Sequence, residues 1–81
     1  MFRAKTFFDN DFAGQLIKME NGRKYHFQYA PGYNGPPVSL TMPVREESYS
    51  FDEFSTFFDG LLPDGIQLEV LLRQKQLVYE L

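Results

Sequence analysis

The run Phe51-Asp-Glu-Phe54-Ser-Thr-Phe57-Phe58-Asp-Gly-Leu61-Leu62-Pro63 constrains this chain most. Its apolar residues recur at helical spacing and predict one stripe that must be buried. Ser50 followed by Glu53 reads as a capping box, with Tyr49 and Phe54 as its hydrophobic staple. Pro63 disfavours the α region for Leu62 and ends the helix nearby. Asp64, with Gln67 three residues on, then caps a second helix running towards the C-terminus. On that helix Leu68, Leu71, Leu72, Val78 and Leu81 share a broad face. Ile66, Val70 and Leu77 form a second apolar strip, which either closes on the domain's own core or docks on another protein.

The segment before this stretch reads as sheet. Phe2 to Phe8 alternates, with Phe2, Ala4, Thr6 and Phe8 on one face. Asp9-Asn10-Asp11 is a turn, and Phe12 to Met19 returns. Asn21-Gly22 suits a type I′ hairpin, which sets Leu16 opposite Phe27 and Gly14 opposite Tyr29. Leu16, Phe27 and Tyr29 then face the core, and His26 faces water. The proline- and glycine-bearing stretch 30–37 is a loop. Val38 to Met42 is a short strand, and 44–48 is a solvated connector. Together these predict an α+β fold: a small antiparallel sheet of three to five strands, followed by two C-terminal helices packed on one face. At 81 residues the chain makes one domain, 1–81.

The residue inventory points away from catalysis. His26 is the lone histidine and there is no cysteine, so a zinc set cannot be assembled. Asp9 and Asp11 fit a turn better than a calcium loop. The serines have no base near them in sequence, and the glycines build no phosphate cradle. No catalytic, cofactor or metal residues are assigned. The net charge of −3 and the scattered basic residues argue against direct nucleic-acid binding. No stretch is long enough to span a bilayer, and the N-terminus does not read as a signal peptide, so the expected location is cytoplasmic. Aromatic residues make up 17% of the chain, an apolar load that either fills the core or meets a partner.

Pro43-Val44-Arg45, then Tyr49-Ser50, then Phe57-Phe58-Asp59-Gly60-Leu61-Leu62-Pro63-Asp64-Gly65 resembles the N-terminal subdomain of the HipA toxin kinases. That family carries a Pro-Leu-Arg-like step, a Tyr, and a Phe-Phe-x-Asn-Leu-Leu-Pro-Glu-Gly signature. Val44, Gly60 and Asp64 are the departures, and the resemblance covers essentially the whole chain. A HipA kinase continues with a phosphate loop and catalytic residues, whereas this chain stops at Leu81. The resemblance therefore implies the stand-alone HipS type of the tripartite HipB-HipS-HipT toxin–antitoxin systems of bacteria. It implies an antitoxin that binds a HipT-like serine/threonine kinase, with a HipB-like DNA-binding protein in the complex. The alternative is a regulatory subunit that completes the kinase instead of silencing it. A third is an adaptor in a nucleic-acid complex, which the scattered charges disfavour. Pro63, Asp64, Gly65, Ile66, Val70 and Leu77 are the expected partner-binding residues.

Overall fold

The computed structural model describes residues 2–72 and 75–80. Its strands are β1 (Phe2–Phe8), β2 (Asp11–Lys18), β3 (Tyr25–Tyr29), β4 (Tyr49–Phe51), β5 (Ile66–Leu72) and β6 (Lys75–Glu80). One helix, α1 (Phe54–Asp59), lies between β4 and β5. The strands form a six-stranded sheet in the order β4-β3-β2-β1-β5-β6, with every neighbouring pair antiparallel.

The sheet's first half follows the sequence closely. β1 buries Ala4 and Thr6 on the predicted face. Asp9 and Asn10 turn the chain with φ of 48° and 72°, backbone that short polar side chains tolerate. Between Thr6 and Phe7 the register shifts, and Ala13 takes up the extra position. Leu16 pairs with Phe27 and Gly14 with Tyr29, in the expected register. The turn that delivers this register differs from expectation. Neither Asn21 nor Gly22 has positive φ, so the type I′ turn is absent, and the Gly22 amide instead donates to the Met19 carbonyl at 3.0 Å. Gly14 is obligatory: a Cβ there would lie 2.4 Å from the Gln28 carbonyl oxygen and 2.9 Å from the Phe27 ring.

The expected α+β fold, three to five strands followed by two C-terminal helices, is corrected: among the described residues only the first helix exists, shortened to α1, and the second is sheet. Residues 66–72 and 75–80 form a hairpin that widens the sheet to six strands. Ile66-Gln67-Leu68-Glu69-Val70 alternates strictly, the period of a strand, and the free edge of β1 offers seven residue pairs from Phe2↔Leu72 to Phe8↔Ile66. That pairing overrides a local pattern that also fits a helix. Gly65 makes the corner with φ of 86°, and its carbonyl accepts from the Asp9 amide at 2.9 Å.

The first helix is shorter than expected. Tyr49–Phe51 is not helical but pairs with β3, and Ser50 Oγ lies 3.2 Å from His26 Nδ1. The expected capping box does not form, because α1 starts after Glu53 with no side-chain cap. Val38 to Met42 is likewise a turn, not a strand, joined by isolated bridges from Ser39 to Met42 and to Leu61.

Segment 30–48, α1 and Leu61 cover one face of the sheet. Ala4, Leu16, Phe27, Tyr29, Ile66, Leu68 and Val70 from the sheet meet Val38, Met42, Phe57 and Leu61 from this layer. The Phe27 and Phe57 ring centroids lie 5.3 Å apart at its centre.

Candidate partner interface

Among the family-like residues, Phe57 and Leu61 form the internal frame of the covering layer, while Asp59, Gly60 and Pro63 to Gly65 are exposed. Phe57 is 1% exposed and Leu61 8%. Arg45 lies 3.7 Å over the Tyr49 ring, and its guanidinium donates to the carbonyls of Glu47 at 3.2 Å and Ser48 at 3.0 Å. The Tyr49 hydroxyl donates to the Pro43 carbonyl. These bonds fold the polar connector back onto β4, so Arg45 is used in holding the loop. Tyr29 does the same from β3: its hydroxyl donates to the Met42 carbonyl and accepts from the Val38 amide at 3.1 Å. Burial raises the Tyr29 pKa above its ordinary value of 10.0, because the phenolate would be desolvated.

The expected contact residues separate into two groups. Ile66 and Val70 lie on the inner face of β5, 1% and 3% exposed, inside the domain core. Leu77 sits opposite Val70 on β6 and packs against that core, half-buried. These three meet in space, but they do not form a free strip, because they stand on strands that face α1. Pro63, Asp64 and Gly65 are exposed at the corner between α1 and β5. Beside them Asp9, Asn10, Gly65, Ile66, Gln67 and Glu80 line a shallow cleft of about 290 Å³. With Asp9, Asp64 and Glu80 at this end, the corner suits a cationic surface.

The sequence reading missed Leu40. It stands 83% exposed at the tip of a turn. Ser39 Oγ fixes that turn, 3.0 Å from Thr41 Oγ1 and accepting from the Thr41 amide at 3.2 Å. The turn is tied to the corner segment, since Ser39 bridges Leu61 and the Leu62 amide donates to the Val38 carbonyl at 2.8 Å. Leu40 and the acidic corner are thus carried on two joined segments. The only sequence signal was an apolar residue flanked by Ser39 and Thr41, which an alternating strand explains equally well.

The sheet's other face carries Arg3, Lys5, Ile17, His26, Gln28 and Val78; no helix or strand among the described residues packs on it, and the connector reaches only its edge, where Gln28 Nε2 donates to the Glu46 carbonyl at 2.8 Å. His26 is exposed there. Among the described residues no three His, Asp or Glu side chains gather as metal ligands, and no helix is long and apolar enough to cross a membrane.

A family model for the HipA N-terminal domain matches residues 4–79. The chain belongs to the HipA N-terminal domain family. An uncharacterised protein of Haemophilus influenzae is 36% identical over 61 residues, which is 75% of this chain. The matched region spans 56% of that relative's length. Within this HipA N-terminal domain, the resemblance carried by Phe57 to Gly65 is to a packed corner. Its Pro63-Asp64-Gly65 end and the neighbouring Leu40 are exposed.

Proposed function

We propose that this HipA N-terminal domain is a non-catalytic, HipS-type antitoxin that binds and neutralises a HipT-like serine/threonine kinase. The family match over residues 4–79 carries the reading. The exposed corner supports it, because a rigid turn with an apolar tip and an acidic flank is suited to contact another protein. In this reading Pro63, Asp64 and Gly65 contact the kinase directly. Ile66, Val70 and Leu77 act from behind, by fixing β5 and β6 beneath the corner. Phosphoryl transfer depends on positioning, so a domain wedged against the kinase inhibits by preventing closure around ATP or by blocking the peptide site. A HipB-like protein supplies DNA recognition, and the complex works in the cytoplasm.

The test is affinity between the purified protein and a HipT-like kinase from the same genome. The wild type is expected to form a stable complex. Asp64→Lys removes an exposed acid, leaves the fold intact, and is expected to weaken binding about tenfold. Absence of a wild-type complex contradicts the antitoxin reading. A wild-type complex that Asp64→Lys leaves unchanged removes the corner from the interface.

A further inference from the structure

β6 closes the sheet on one side. Lys75–Glu80 pairs with β5, and no strand among the described residues pairs with its other edge. The opposite end of the sheet, β4, is only three residues long. An edge strand exposes a row of N–H and C=O groups ready for another strand, and proteins usually blunt such edges with proline, bulges or charge. The middle of β6, residues 76–79, has none of these, and its pairing with β5 runs unshifted from Leu72↔Lys75 to Gln67↔Glu80. Val78 and Tyr79 are 52% and 42% exposed. Tyr79 meets the covering layer at Phe58, the two ring centroids 6.1 Å apart and the rings near perpendicular.

We propose that two copies of this domain join edge to edge through β6, making one continuous antiparallel sheet. The strand is complementary to itself. A two-fold axis normal to the sheet at Val78 sets Val78 against its counterpart, Leu77 against Tyr79, and Gln76 against Glu80. Each of these pairs keeps both side chains on the same face of the sheet, as antiparallel pairing requires. On the inner face, Leu77 of the second copy covers Tyr79, which is 42% exposed in the single copy. On the outer face, two valines meet, flanked by amide–carboxylate pairs. No like charges stand opposite one another. The contact is one strand long, well under the roughly 1,200 Å² of a standard interface, so the dimer is weak and exchanging. This proposal is independent of the kinase reading.

Sedimentation over a range of concentrations tests it, on the wild type, Val78→Lys and Val78→Cys. The wild type is expected to shift from monomer to dimer as concentration rises. Val78→Lys places two ammonium groups face to face at an already exposed position and is expected to weaken the dimer about tenfold or more. The natural sequence contains no cysteine, so any disulfide comes from the introduced thiol. Val78→Cys is expected to form a covalent dimer under mild oxidation, whereas Met19→Cys, at another exposed site, is expected to stay monomeric. A wild type that remains monomeric at high concentration overturns the proposal. So does a Val78→Lys variant that dimerises as well as the wild type, or cross-linking of Met19→Cys equal to that of Val78→Cys.

Discussion

Thr6 is fully buried on β1, and its hydroxyl has no hydrogen-bond partner among the described residues. Valine has the same shape without that desolvated oxygen. Thr6→Val is therefore expected to stabilise the domain by about 1 kcal/mol, seen as a higher urea midpoint. A lower midpoint would show that the hydroxyl is satisfied. At Gly14 the opposite holds: the new methyl of Gly14→Ala meets backbone that cannot move freely, and a loss of about 1–3 kcal/mol is expected in the same assay. Ile66→Asp buries a charge in the core, so loss of binding by that variant reports unfolding, not a lost contact. Residue identity made Gly14 legible in advance, because its place opposite Tyr29 followed from register. It could not make Ile66 legible. An isoleucine after a turn looks the same whether it opens a helix or a strand.

At the scale of elements, legibility followed how local the deciding interaction was. β1, β2 and β3 carry their own alternation and turn residues, and their register was readable. In β5 the strand alternation of Ile66 to Val70 competes with a helical spacing, and the free edge of β1, far away in sequence, decides between them. The Asn21-Gly22 signal gave the right register through a different turn, since the same cross-strand pairs face the same core. The covering segment 30–48 was unreadable for another reason: three tyrosine hydroxyls hold it, and two of them, Tyr29 and Tyr49, lie on strands outside it. Tyr29→Phe leaves the Val38 amide and the Met42 carbonyl without their partner and is expected to cost about 1–3 kcal/mol. Tyr29 also gives the fold an alkaline limit. Its folded pKa is raised, so the folded state holds this proton more tightly than the unfolded chain does. The stabilisation is complete below the unfolded value of 10.0 and is lost as pH rises through the folded one. Denaturation midpoints of the wild type are expected to fall above that pH, and Tyr29→Phe is expected to fall less steeply. Parallel curves would remove Tyr29 as the cause.

As a whole molecule, the domain is one sheet covered on one face, with Phe57 and Leu61 of the family-like stretch turned inward and its Pro63-Asp64-Gly65 end and Leu40 turned outward. Family membership was legible from the sequence because the signature is contiguous, Phe57 to Gly65. The display of Leu40 was not, because it depends on a bridge between Ser39 and Leu61. The central claim is that this surface silences a kinase. The most direct measurement titrates the purified domain into an active HipT-like kinase and follows autophosphorylation. Inhibition that is complete near one equivalent is the predicted result. Activity that stays constant or rises as the domain is added would contradict the account, and a rise would instead identify a subunit that completes the kinase.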